Sequence, residues 1–140
     1  VEITEGLLLD TNEDVTQQLQ ALRSAGIAVS LDDFGTGYSS LTYLQKIDID
    51  FIKIDQSFVR NLKPASTDLA LCKAIISLAH DLGMQVVAEG VETAEQRDLL
   101  MATGCDFGQG YWFARPLTVA AFDDFMRADG SAAWQTTQKE

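Results

Sequence analysis

Apolar positions along this chain recur in two rhythms that take turns. Val15, Leu19 and Leu22 stand three and four residues apart, which predicts an amphipathic helix over 12–25 with Gly26 placed to end it. Helices are likewise predicted over 67–82, ending near Gly83, over 93–103 and over 119–128, with a short one over 40–45. Thr93, followed three residues later by Gln96, has the form of a capping box. Between the helices lie β-like runs at 1–5, 27–32, 49–55 and 85–89, and a fifth from Cys105 to about Tyr111. Their starts are spaced by about 20 to 36 residues, the length of a βα unit, so the chain reads as an α/β fold with about five parallel strands. The polar stretch 129–140 reads as a frayed tail that Trp134 could anchor.

Spacing alone leaves a doubly wound sheet and a barrel both open. What the strands carry separates them. Side chains alternate across a strand, and one parity collects Val1, Ile3, Val29, Leu31, Ile52, Ile54, Val86 and Ala88. The other collects Glu2, Thr4, Ala28, Ser30, Asp32, Lys53, Asp55, Gln85, Val87 and Glu89. A doubly wound sheet lies under helices on both faces and tends to be apolar on both. Here one face is apolar and the other charged toward the carboxyl ends, where a (β/α)-barrel keeps its functional groups. The expected fold is therefore a partial (β/α)8 TIM-type barrel.

Composition narrows the class. The chain has 140 residues with 46% hydrophobic and 22% charged, enough to bury a core in one domain. Ten basic against 21 acidic residues leave a formal charge of −11, which argues against duplex DNA or an anionic membrane as partner. No apolar run approaches the roughly 18 residues of a membrane span. Two cysteines, Cys72 and Cys105, fit a reducing compartment and read as small buried hydrophobes. His80 reads as a helix-end residue. The chain opens within a strand-like run and without an initiator Met, and so reads as a piece of something longer.

The polar face sets a charge problem. Glu2, Asp32, Asp33 and Glu89 exceed what Lys53 neutralises, and gathered carboxylates are costly to desolvate without counter-charge. Divalent cations are the natural remainder. With carboxylate donors and no His or Cys cluster, Mg²⁺ or Mn²⁺ is favoured over Zn²⁺. Adjacent carboxylates normally point apart, but a backbone turn at a strand end lets Asp32 and Asp33 reach a shared metal pair. Gly35 and Gly37 let the following loop pass close by.

Joined in order, these segments resemble a known family. They are Val1-Glu2-Ile3-Thr4-Glu5, Asp32-Asp33-Phe34-Gly35-Thr36-Gly37, Phe51-Ile52-Lys53-Ile54-Asp55, Val86-Val87-Ala88-Glu89-Gly90-Val91-Glu92, and Gly108-Gln109-Gly110-Tyr111-Trp112-Phe113 with Arg115-Pro116-Leu117. The chain is identified as similar to the EAL-domain phosphodiesterases, bacterial signalling enzymes that hydrolyse cyclic di-GMP to linear 5′-pGpG. Residues 1–128 correspond to the C-terminal portion of such a domain. The resemblance implies metal ligands at Glu2, Asp32, Asp33 and Glu89, with Asp32 bridging. It implies a catalytic Lys53 that holds or activates the attacking water, with Glu89 serving the second metal directly or through water. Gln109 would lie near substrate, and Glu5 and Thr36 would steady the loop after the Asp pair. A homodimer through Phe34–Gln45 and a cytoplasmic location are also implied. Glu92 and Asp55 remain open between structural and functional roles, and Phe107, Tyr111, Trp112 and Phe113 read first as core or rim packing.

The Glu-Ala-Leu signature that names the family, with its metal-ligating Glu, a nearby Arg and a later Asn, falls in an N-terminal part outside these residues. The parent reads as an active phosphodiesterase, with two alternatives: a degenerate domain that binds cyclic di-GMP without cleaving it, and a protein-interaction module. These 140 residues alone are expected to turn over little or no cyclic di-GMP. Assay of the purified chain beside an intact domain checks this, and comparable rates would contradict it.

Overall fold

The structure, a computed structural model, describes residues 1–4, 6, 13–35, 44 and 48–128. Glu5, Thr36, most of the expected 40–45 helix and pairing segment, and the tail 129–140 lie outside the described residues. Five strands, β1 (Glu2–Thr4), β2 (Ser30–Phe34), β3 (Phe51–Ile54), β4 (Gln85–Ala88) and β5 (Phe107–Gly108), pair in parallel and in chain order. The helices between and after them are α1 (Glu13–Ser24), α2 (Gln56–Arg60), α3 (Thr67–Asp81), α4 (Ala94–Ala102) and α5 (Val119–Arg127).

The expected parity holds. Ile3, Leu31, Ile52 and Val86 stand in register across four strands, and all are buried. They join one core with Leu19 of α1 and with Cys72, Ile75, Ile76 and Ala79 of α3, an apolar stripe at helical spacing. Val1, expected on this face, is instead 55% exposed at the sheet edge. No residue of α5 is buried, so its apolar positions, Phe122 among them, do not join the core.

Two local departures from the expected elements matter for the site. First, β2 runs through Asp33 and Phe34, which read as loop from sequence. Leu31 pairs with Ile52 and Phe34 with Ile54, so three steps along β2 match two along β3. That is a bulge, with Asp33 at φ 55°, a left-handed conformation that Asp tolerates better than most residues. Second, α2 was not expected. Asp55 caps it, its Oδ1 accepting the Ser57 N–H at 3.0 Å.

Three helices end alike. After α1, α3 and α4 a glycine in the left-handed region (Gly26, Gly83, Gly104) donates to a last-turn carbonyl, and the next residue donates to the carbonyl of Leu22, Ala79 or Leu100. Each such stop turns the chain back toward the strand that follows. At the amino ends of the strands a second device repeats. Asp50 accepts the Val29 N–H at 2.8 Å and binds Arg23 from the last turn of α1 at 3.0 Å. Asp106 accepts the Val86 N–H at 2.8 Å and binds His80 from the last turn of α3 at 2.8 Å. His80 thus ends a helix, as expected, and also ties it to the sheet.

On the opposite rim, glycines permit close packing. A Cβ on Gly110 would run into the backbone of Val91, and one on Gly90 would lie 2.6 Å from the Gln56 Cβ. The segment after β4 is therefore wedged between α2 and the segment after β5. Gln96, buried in the capping box of α4, accepts the N–H groups of Glu92 and Thr93 at 2.8 and 3.0 Å and donates to the Arg60 carbonyl.

Two measurements follow from these features. Asp50→Ala and Asp106→Ala each strand a buried N–H, and each should lower unfolding free energy by about 1–3 kcal/mol in urea titrations; a loss under a few tenths would contradict the clip. Burial pushes the Cys72 thiol up to about 11 and that of Cys105 up to about 12, with a nearby acid adding to each. Folding therefore favours the neutral thiols. Their contribution to stability is whole below the ordinary value of 9.0 and is lost as pH climbs toward 12. At pH 8 an aromatic disulfide reagent should find no reactive thiol in the native chain and two after unfolding.

Candidate active site

The polar face is organised around one residue. Ile52 and Ile54 face the helices, so alternation along β3 turns Lys53 to the other side of the sheet. A lone ammonium there would be costly to bury. Yet the Lys53 side chain is only 8% exposed, because three acids surround it: Nζ lies 2.8 Å from Glu2 Oε1, 3.1 Å from Asp32 Oδ1 and 2.7 Å from Glu89 Oε1. Glu2 comes from β1, Asp32 from β2, and Glu89 directly follows β4, its N–H donating to the Ile54 carbonyl.

Register explains the meeting. Leu31 opposite Ile52 sets Asp32 beside Lys53 on the same face, and Thr4 lies opposite Asp32. Strict alternation would then send Asp33 toward the helices and Phe34 toward the acids. The bulge reverses this: Phe34 returns to the core while Asp33 stays exposed beside Asp32. The turn expected for the Asp pair is this bulge.

Desolvation pulls the Lys53 pKa down, but the neighbouring carboxylates of Glu2, Glu89 and Asp32 together outweigh it and hold the group above its ordinary range. Lys53 is an ammonium. With three carboxylates about one ammonium, negative charge exceeds positive by two within this cluster. Asp32 Oδ1 is buried and within ion-pair range of Lys53, but it accepts no hydrogen bond. An oxygen-only donor set with surplus negative charge and an unsatisfied buried carboxylate oxygen fits a hard divalent cation. Among the described residues no three His, Cys, Asp or Glu side chains stand ready around a common metal position; Glu2, Asp32 and Glu89 meet on the Lys53 ammonium.

Gln109 stands at the end of β5, its N–H donating to the Ala88 carbonyl and its own carbonyl accepting from Val91. With Glu89 it lines a polar cleft of about 300 Å³ that also takes in Gln56, Gly90, Glu92, Gly110 and Tyr111. Gln56 escaped the sequence reading, since nothing in a lone Gln after a helix cap marks a cleft wall, and Tyr111 reads there as packing. Asp55 turned out to be structural, and its bond with Ser57 lowers its pKa. Glu92 exposes its side chain and is held by its backbone. Of the aromatic residues expected in packing, Phe113 packs on the core, while Phe107, Tyr111 and Trp112 are exposed. A larger neighbouring cavity of about 500 Å³ is lined mainly by apolar residues from Ala114 to Phe125 and contains no acid.

Comparison with known proteins places this geometry. The EAL domain family model matches residues 1–116. Cyclic di-GMP phosphodiesterase NbdA of Pseudomonas aeruginosa is 43% identical over 128 residues, which cover 91% of this chain and 16% of that protein. The solved EAL enzyme Bd1971, in a form with cAMP and cyclic di-GMP bound, superposes with a TM-score of 0.83 at 40% identity, over 89% of this chain and 33% of that one. Klebsiella pneumoniae BlrP1, in a complex with manganese and cyclic di-GMP, does so with a TM-score of 0.74 at 39% identity, over 82% and 29%. This chain thus spans a third or less of each of these proteins. The chain belongs to the EAL-domain family, and its five parallel strands and their helices are part of that family's TIM-type barrel.

Proposed function

We propose that the protein carrying this chain hydrolyses one phosphodiester bond of cyclic di-GMP, giving linear 5′-pGpG, with Mg²⁺ or Mn²⁺ bound. One observation supports this above others: Lys53 and three carboxylates, from four adjacent strands or the residue just after, meet within 3.1 Å in a chain of the EAL family. The relatives point the same way, since NbdA is named a cyclic di-GMP phosphodiesterase and BlrP1 was solved with manganese and this nucleotide.

In this reading Glu2, Asp32, Asp33 and Glu89 would hold the metal. When bound, the ions supply an activated water and neutralise charge on the phosphodiester and its leaving oxygen. The need is visible in the residues themselves, because a rim with surplus negative charge repels an anionic phosphodiester. Lys53 acts as a fixed N–H donor that orients water or a phosphate oxygen. Glu89 holds that donor from one side, and Gln109, which lines the same cleft, contacts substrate. Glu5 and Thr36 steady the loop after the Asp pair, and a homodimer forms through Phe34–Gln45. The domain works in the cytoplasm and, with its acidic balance, binds neither DNA nor membrane. No helix among the described residues is long and apolar enough to cross a membrane.

The test is an assay of the full-length protein with cyclic di-GMP. Turnover should need Mg²⁺ or Mn²⁺, stop with chelator and return when the ion is restored. Lys53→Met should lower kcat by about a hundredfold or more with an unchanged circular dichroism spectrum. Near-normal turnover in this variant would refute the role of Lys53. Nucleotide binding without any cleavage would favour the non-hydrolysing alternative.

A further inference from the structure

We propose that Lys53 is a built-in counter-ion that competes with divalent metal for Glu2, Asp32 and Glu89: it keeps the acids assembled when metal is absent and gives up carboxylate contacts when metal binds. The inference rests on the metal-holding reading above, but concerns what the chain does before metal arrives.

The geometry carries it. Three acids from separate strand segments converge, and like charges brought this close drive the strands apart unless a cation stands among them. The ammonium takes that position. A metal using the same carboxylates is repelled by it, so ion and ammonium contend for the same oxygens.

The three contacts are not equal. Glu89 is bound at 2.7 Å with its side chain largely covered, whereas Glu2, bound at 2.8 Å, is 58% exposed and has water to replace the contact. Asp32 Oδ1 lies farthest, at 3.1 Å, and accepts no hydrogen bond. Lys53 therefore yields Asp32 and Glu2 first and keeps Glu89. In that arrangement the same lysine serves as placeholder without metal and as a positioned donor with it.

Calorimetric titration of Mn²⁺ into the metal-free protein tests this. Lys53→Met should bind Mn²⁺ about tenfold more tightly than wild type, or better. Metal-free, it should melt at a lower temperature than wild type, and Mn²⁺ should narrow the gap. Lys53→Arg, which keeps the charge, should match wild type in both. Equal or weaker binding by Lys53→Met overturns the competition while leaving the metal reading intact. If neither protein binds Mn²⁺, the metal reading fails and the competition falls with it. Should Lys53→Met not fold, wild type labelled with ¹⁵N-lysine provides the readout. A solvent-protected Nζ resonance should be present without metal, and saturating Mg²⁺ should shift it or expose it to exchange. A resonance unchanged by saturating Mg²⁺ overturns the proposal.

Discussion

A positive charge buried against the open face of a parallel sheet is the constraint on which the rest of this structure turns. Lys53 cannot face the helices, because Ile52 and Ile54 on either side of it fill the core. On the other face it needs counter-charge, and the sheet provides it from three neighbours. Parallel strands put all their carboxyl ends on one rim. The pairing of Leu31 with Ile52 brings Asp32 alongside, and β1 and β4 bring Glu2 and Glu89. The bulge at Asp32 and Asp33 then allows a second acid at the rim without removing Phe34 from the core. A slip of one residue in any of these pairings would exchange the acids for core residues.

The two rims use the same residue type in opposite ways. At the amino ends, Asp50 and Asp106 are each matched to a backbone N–H and to a basic side chain from the preceding helix. Such acids stabilise and hold no reserve for chemistry. At the carboxyl ends, Asp32 keeps an oxygen without a hydrogen bond and negative charge exceeds positive. The contrast fits the usual division of a barrel into a stabilising bottom and a functional top.

Much of this was legible in the residues because it is local. The period-2 parity of the strands, the capping box at Thr93 and Gln96, and the glycines after α1 and α3 each need only a few neighbouring positions. The acid cluster was legible because parity places Glu2, Asp32, Lys53 and Glu89 on one face. Other features depend on partners distant in the chain. The bulge is defined by pairing against β3, and the clips join Asp50 to Val29 and Asp106 to His80, 21 and 26 residues apart. Asp55 carried the right parity for the site, yet a helix start claimed it. Val1 and α5 carried the right hydrophobicity for a core, yet neither is covered.

The central claim is that acids from successive strand segments form one cation-binding cluster around Lys53. Anomalous diffraction from crystals of the protein grown with Mn²⁺ tests it most directly. The account predicts manganese peaks within bonding distance of the Asp32 carboxylate and of at least one of Glu2, Asp33 and Glu89. Manganese located only elsewhere on the molecule, with the rim bare, would contradict it.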